Sequence, residues 1–377
     1  MSSVRFIFTA DSHLRGSSMG SVERGVDFFR ALLSVVHIAE KQGVRDILHG
    51  GDILDTTRLT SQVSEQLQEI DLACREAGIR MHVISGNHDA CKPHWIESIR
   101  KVRERLSDKE RGGIYLVDNQ TISIGDAKKG DTLRVLCLPS MPSDVFLQRA
   151  TADTENADVL LWHGPIREFC GYPDPTALSI TDLPTNIYAA ILLGDIHIRE
   201  FKTHNDCLVG YPGATEVAKS GDPIDCTCSL MEWDRTRGMK VVENIPVANR
   251  PVYPRRLDSE EKVQAVMQEL RQIKNKPALF LINYADSLED VRTRLNMVAG
   301  PNTLVRSRSY TIGDAVSLAS AFGFQAAQMD AKPPEAFLQG IVPPDSDIGR
   351  TAAILLNPDA DHATVLRDFV DRLEPSI

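Results

Sequence analysis

No stretch of this chain approaches the roughly 18 consecutive apolar residues that a membrane-spanning helix needs. The opening residues, Met1-Ser2-Ser3-Val4-Arg5-Phe6, carry neither the basic segment nor the long apolar core of a secretory signal, and they run at once into a strand-like segment. No two cysteines stand in C-x-x-C spacing. The seven (Cys74, Cys91, Cys137, Cys170, Cys207, Cys226, Cys228) are odd in number and scattered, which argues against a disulfide framework and for reduced thiols. Together these absences predict a cytoplasmic protein. Positive charge is also short: 42 Lys and Arg against 52 Asp and Glu leave a net charge of −10. A protein that grips duplex DNA through basic side chains alone leans the other way. An enzyme whose bound cations bring the positive charge is still admitted. Internal repeats and low-complexity tracts are absent too, so a solenoid or a fibre is not expected.

What is present is an ordinary globular composition, 42% hydrophobic and 25% charged over 377 residues, enough for about two domains. The first half alternates strand and helix signals. Val4 to Ala10, Asp46 to His49 and Met81 to Ile84 read as strands. Ser21 to Gln42 and the run through Val63, Leu67, Ile70 and Cys74 read as helices closed by Gly43 and Gly78. Further strands are expected at Arg134 to Leu138, Val159 to Trp162, Ala189 to Leu193 and Cys226 to Trp233. That alternation predicts an α/β layer fold. Pro246, Pro251 and Pro254 are expected to break pairing and to mark a boundary near residue 252. Beyond them, Ser259 to Ile273 and Leu288 to Val298 read as helices and Ala278 to Ile282 as a strand.

Five short polar motifs each follow a predicted strand: Asp11-Ser12-His13, Gly51-Asp52-Ile53-Leu54-Asp55, Gly86-Asn87-His88-Asp89, His163-Gly164 and Gly194-Asp195-Ile196-His197. Taken singly, each has a bland explanation. An Asp-x-His pair is usually a surface pair, Gly-Asp after a strand is usually a turn, and a lone histidine is usually a hydrogen-bonded core residue. The ordered set is different, because the ends of strands in an α/β sheet converge on one crevice. Carboxylates, imidazoles and one amide oxygen, with no thiolate, suit Mn2+, Fe2+ or Zn2+. The two D-x-H spacings are expected to send both side chains the same way, as residues two apart do in an extended chain.

These motifs resemble those of the calcineurin-like metallophosphoesterase superfamily (D-x-H, G-D-x-x-D, G-N-H-D/E, a lone H, then G-H-x-H). More narrowly the chain resembles SbcD-type nucleases, through Gly50-Gly51-Asp52-Ile53-Leu54-Asp55 and through Tyr211-Pro212-Gly213 after the last metal motif. The resemblance implies a four-layer sandwich, two mixed sheets flanked by helices, with a smaller C-terminal α/β capping domain. It places a nuclease domain at 1–252, a capping, DNA-binding domain at 253–330 and a partner-binding region at 331–377. Two divalent ions are implied, Mn2+ first, with Mg2+ and Fe2+ as alternatives. Asp11, His13 and His197 would hold one, Asn87, His163 and Asp195 the other, and Asp52 would bridge. His88 would stand over the scissile phosphate as general acid or charge stabiliser, oriented by a carboxylate such as Asp89 or Asp55. The family has His where this chain has Asp195; the carboxylate adds negative charge and favours harder ions.

The implied function is a metal-dependent DNA exonuclease and endonuclease subunit in double-strand-break processing or recombination. Its partners would be DNA ends and an SbcC-like, SMC-type ATPase, with a homodimer left open. Two alternatives stand beside it: a metallophosphatase or phosphodiesterase on small-molecule or protein phosphates, which the acidic charge favours, and a catalytically weak scaffold of the same fold, hinted at by Asp195. Of the remaining residues, Arg15 sits where a phosphate contact would be useful, Lys92 and His94 could meet a DNA backbone, and His49 reads as a packed strand histidine.

Overall fold

The computed structural model describes residues 3–55, 60–89, 112–126, 131–152, 157–170, 174–219, 221–273 and 276–310. Cys91, Lys92, His94 and the expected partner-binding region at 331–377 lie outside the described residues.

Two six-stranded mixed sheets form the body. The first contains β1 (Val4–Thr9), β2 (Asp46–His49), β3 (Arg80–Val83), β4 (Gly113–Leu116), β11 (Thr227–Asp234) and β12 (Gly238–Pro246), in the order β12-β11-β1-β2-β3-β4. Strands β1 to β4 are mutually parallel, and β11 and β12 extend the sheet antiparallel. The second contains β5 (Gln120–Asp126), β6 (Asp131–Leu138), β7 (Val159–His163), β8 (Ala190–Gly194), β9 (Arg199–His204) and β10 (Cys207–Pro212), in the order β5-β6-β7-β8-β10-β9. Its parallel centre, β6-β7-β8-β10, is edged by antiparallel β5 and β9.

The parallel strands are buried on both faces, which is why their sequences read as unbroken apolar runs. One set of side chains (Phe6, Phe8 and Leu48 from the first sheet, Val135, Leu161 and Leu192 from the second) meets between the sheets. The opposite set packs under helices. On the first sheet, Ile7, Ile47 and Met81 lie against α1 (Val22–Lys41) and α2 (Ser61–Glu76) through Phe28, Leu32, Val35, Leu67 and Ile70. On the second, Leu160, Trp162 and Ile191 lie against Phe146 and Ala150 of α3 (Ser143–Ala152). Each such Leu, Ile or Phe contributes about 1.5–3 kcal/mol by leaving water. Ser21 caps α1 by accepting the Glu23 N–H at 3.1 Å, and Gly43, at φ +66°, ends it. The fold is therefore two large mixed sheets flanked by helices.

After β12 comes a three-stranded sheet, β13 (Val252–Leu257), β14 (Ala278–Ala285) and β15 (Thr303–Tyr310), with α4 (Glu260–Ile273) and α5 (Val291–Val298). Strand β14 alternates strictly. Ala278, Phe280 and Ile282 join Val263, Leu270 and Leu295 in a local core, whereas Leu279 and Leu281 join the core of α1. The expectation that Pro246 and Pro254 break pairing is corrected here: Pro246 pairs with Thr227 at the end of β12, and Pro254 lies inside β13, in parallel register with Leu281. β13 is an edge strand, and an edge tolerates a residue with no N–H to donate. The approach to this sheet is held by Arg250, buried against Asp27 of α1 (Nε to Oδ2 2.6 Å, Nη2 to Oδ1 3.1 Å) while its Nη1 donates to the Asn302 carbonyl at 2.7 Å. Arg24 donates to the same Asp27 oxygen at 2.9 Å and to Glu216 at 3.2 Å.

Candidate metal centre

All five motifs leave the sheets at one edge. Asp11, Asp52 and Asn87 follow β1, β2 and β3 of the first sheet, His163 ends β7 of the second, and Asp195 and His197 follow β8. Main-chain hydrogen bonds sew the loops together. Asp11 N–H donates to Gly51 O at 3.0 Å, His13 N–H to Asp52 O at 2.9 Å, Leu14 N–H to Ile53 O at 2.8 Å, and Gly164 N–H to Gly194 O at 3.1 Å. The two sheets are joined at the site itself: the Asp195 N–H donates to the Asp11 carboxylate (3.1 and 3.2 Å), and His163 Nδ1 lies 2.7 Å from Gly50 O.

The backbone differs from the extended one expected after a strand. Asp11, His13, Asp52 and Asp195 all have positive φ, at 53°, 46°, 54° and 107°. Left-handed turns, rather than an extended pleat, aim these side chains inward. Such conformations cost on the order of 1–3 kcal/mol each and persist where the surroundings hold them. Glycine gives the room: a Cβ on Gly86 would stand 2.1 Å from Asp52 Oδ1, and one on Gly194 would stand 2.0 Å from Gly50 O.

Two groups of lone pairs result. In the first, His13 Nε2 and His197 Nε2 face each other at 3.1 Å. His197 Nδ1 is taken by Asp222 Oδ2 at 2.9 Å, so the proton sits on Nδ1 and Nε2 is an acceptor. In the second, His163 donates through Nδ1 to Gly50 O, and its Nε2 looks at Asn87 Oδ1 (3.3 Å), Asp52 Oδ2 (3.6 Å) and Asp195 Oδ1 (3.7 Å). Asp52 Oδ1 is fixed by the His88 N–H at 2.9 Å, while Oδ2 lies 3.6 Å from His163 Nε2 and 3.9 Å from both His13 Nε2 and His88 Nε2. Asp11-His13-His197, His13-Asp52-His88 and Asp11-Asp52-His163 each bring ligand atoms within 4.8 Å of one another. With its proton on Nδ1, His197 Nε2 offers a lone pair that a protonated His13 Nε2 or a shared cation satisfies, and ligands about 2.1 Å from one ion at right angles stand about 3 Å apart. The residues fit two divalent ions, with Asp52 placed to serve both.

Burial pushes the Asp11 carboxyl up to about 7 and also raises Asp195. Burial lowers the His163 ring, but Asp52, Asp11 and Asp195 outweigh it and hold the ring above its usual value. For His197 burial again lowers, and the Asp222 bond reverses the sign. Burial accounts for the raised carboxyls and for a lowered His13 ring, while the neighbouring carboxylates account for the raised His163.

His88 is 44% exposed at the mouth, its Nδ1 3.1 Å from the Asp55 carbonyl and 3.7 Å from the Asp55 carboxylate. Of the two expected partners, Asp55 stands beside it. Asp89 is buried and turned away: it accepts the Gly86 and Ile53 N–H groups, the latter at 2.8 Å, and so clips the third motif to the second. Arg15, expected to meet substrate, is committed to Asp55 at 2.7 Å and lies over the Phe28 ring at 4.4 Å. His49 is fully buried, its Nε2 2.9 Å from Ser12 Oγ. The six described cysteines are free thiols. Among the described residues no helix is long and apolar enough to cross a membrane. Sequence reasoning misses Asp222, which follows no strand and keeps no spacing with the other motifs.

Comparison with known proteins bears on the family. The family model of the calcineurin-like phosphoesterases matches residues 4–199, more than half of the chain. The "DNA double-strand break repair protein Mre11" of Methanosarcina mazei is 25% identical over 271 residues, 69% of this chain and 41% of that protein. The protein of the same name from Methanococcus maripaludis is 21% identical over 313 residues, 78% of this chain and 80% of that one. The chain thus spans about two fifths of the length of the first and four fifths of the second. Among solved structures, a Thermus thermophilus protein matches 64% of this chain and 99% of its own at 14% identity, with a TM-score of 0.41.

Proposed function

The chain belongs to the calcineurin-like phosphoesterase family, and from that premise we propose that it is a two-metal phosphodiesterase acting on DNA ends. The observation that carries the reading is Asp52 Oδ2, set between one pair of facing imidazoles and a second cluster of Asn87, His163 and Asp195. Asp11, His13 and His197 would hold one ion, Asn87, His163 and Asp195 the other, with Asp52 shared. Two such cations, when bound, would set positive charge against a phosphate and acidify a bound water. Asn87 contributes the amide oxygen, and Asp195 makes the second set richer in oxygen than a histidine would, which favours Mn2+ or Mg2+. His88 donates through Nδ1 to the Asp55 carbonyl, so its Nε2 is turned to the open side of the pocket. The departing ester oxygen would take a second ring proton, carried on this Nε2 at 3.9 Å from Asp52 Oδ2. Arg15 keeps Asp55 in place rather than touching substrate.

DNA is favoured over a small phosphate ester because the likeness to the double-strand-break repair proteins runs over 313 residues, well past the metal-bearing part. Work on DNA in a chain of net charge −10 leaves the bound cations to supply the attraction at the site. An SMC-type ATPase partner and a second copy of the chain belong to the same proposal. Linear duplex DNA and a chromogenic phosphate monoester, each incubated with the purified chain and Mn2+, separate the readings. Shortened DNA is expected. Rapid monoester turnover beside intact DNA would instead establish a phosphatase, the reading that the acidic surface favours.

A further inference from the structure

We propose that Asp222 and Tyr211 are positioning residues of the metal centre, Asp222 aiming the ring of His197 and Tyr211 anchoring the strand end that carries His163. The inference deepens the two-metal reading and rests on it. Both residues come from the chain that follows β8, where the Tyr211-Pro212-Gly213 element otherwise has no role.

Asp222 is buried, its side chain 4% exposed. One oxygen, Oδ2, accepts three hydrogen bonds: from His197 Nδ1 at 2.9 Å, from the Ala218 N–H at 2.9 Å and from the Lys219 N–H at 3.0 Å. A carboxylate oxygen so crowded with donors has one position. Because it accepts, His197 must carry its proton on Nδ1, which turns the Nε2 lone pair toward His13 Nε2. An anionic partner on the outer nitrogen also makes the inner one a better donor to a metal. The bland reading is that Asp222 closes only the turn at Ala218 and Lys219. That reading does not explain why the imidazole shares the same oxygen.

Tyr211 is fully buried, and its hydroxyl donates to the Gly164 carbonyl at 2.7 Å. Gly164 follows His163 directly and donates its own N–H to Gly194 O at 3.1 Å. The hydroxyl thus ties β10 to the ends of β7 and β8 just where His163 and Asp195 leave them. Gly213, at φ +78°, turns the chain, and the Ala214 N–H then donates to the His197 carbonyl at 3.3 Å. One segment steadies a histidine of each ion.

The test counts ions on the full chain. Asp222→Asn keeps an acceptor oxygen for the Ala218 and Lys219 N–H groups and removes only the negative charge against His197. Calorimetric titration with Mn2+ should show two ions on the wild type, with the electron paramagnetic resonance of a coupled pair. In Asp222→Asn one of the two should weaken about 10- to 100-fold, the usual effect of removing such a partner, and the coupled signal should give way to that of an isolated ion. Tyr211→Phe should weaken an ion by a smaller factor. Wild-type affinity at both sites in folded Asp222→Asn overturns the role of Asp222, and the same result in Tyr211→Phe overturns that of Tyr211. If Asp222→Asn fails to fold, nitrogen NMR of the Zn2+-loaded wild type decides, with the proton expected on His197 Nδ1 and a proton on Nε2 overturning the proposal. A wild type that binds no Mn2+ fails at the earlier step, the two-metal reading, and is recognised as such.

Discussion

His88 Nδ1 lies 3.1 Å from the carbonyl oxygen of Asp55. A carbonyl only accepts, so Nδ1 is the protonated nitrogen and Nε2 is free to meet a substrate. His88 also falls within ligand distance of His13 and Asp52, so its role is decided by separating binding from turnover. His88→Asn should retain both ions by elemental analysis while hydrolysis falls by roughly 10²- to 10⁴-fold, the usual contribution of a positioned acid. A variant that loses metal makes His88 a ligand.

In the proposed two-metal centre Asp195 would give the second ion a third oxygen where an imidazole would give nitrogen. Asp195→His should therefore raise the affinity for Zn2+ relative to Mn2+, measured by competition on the two proteins. An unchanged ratio would mean that the side chain at 195 is not a ligand.

Burial holds His49 down to about 3, against the ordinary 6.5. Between those values the unfolded chain takes up a proton that the folded chain refuses. The stability due to the neutral ring is complete above about pH 6.5 and is lost as pH falls toward 3, by up to about 1.4 kcal/mol per unit. Urea unfolding of the metal-free protein at pH 7 and pH 5 should show the wild type losing about 2 kcal/mol more than His49→Gln over that interval. Equal losses would show that the ring titrates normally.

Asp27 is shared by two arginines, Arg24 at 2.9 Å and Arg250 at 2.6 Å, and Glu216, 3.2 Å from Arg24, completes the charge balance, with all four side chains buried. Removing one member of such a cluster leaves charge behind without an answer. Asp27→Asn should cost about 3–5 kcal/mol in equilibrium unfolding. A loss below about 1 kcal/mol would mean that water reaches the arginines and screens them.

The first-half elements were legible because their apolar periods are clean. The period Val22, Val26, Phe29, Leu33 and Val36 marks the helix, although the face it buries is Phe28, Leu32, Val35 and Val36, and Val22 is exposed; Asp46-Ile47-Leu48-His49 is a strand to the residue. The convergence of the candidate ligand residues was legible for a related reason, since each stands where an apolar strand runs into polar residues. The edge strands were harder to read. In β12, Lys240, Glu243 and Asn244 reflect a solvent-facing ribbon whose pairing with β11 is set by the neighbour and not by its own pattern. Pro254 misled because a proline signals a break only where its missing N–H was needed. Asp89 and Arg15 lie in the right motifs, but which way a side chain turns depends on contacts such as Ile53 N–H and Phe28, distant in sequence. Asp222 obeys no spacing at all; its partner is reached only through the folded chain.

The ligands of the centre come from two sheets that touch mainly through hydrocarbon, Phe8 and Leu48 on one side and Leu161 and Leu192 on the other. The spacing of the two candidate ligand sets is therefore a dimension of that greasy seam, as the bite of a pair of pliers is a dimension of its pivot. Trimming Leu192, which belongs to no candidate ligand's motif but lies on β8 three residues before Asp195, would let the jaws close or slip by tenths of an ångström, and the injury would surface as altered chemistry before it surfaced as unfolding.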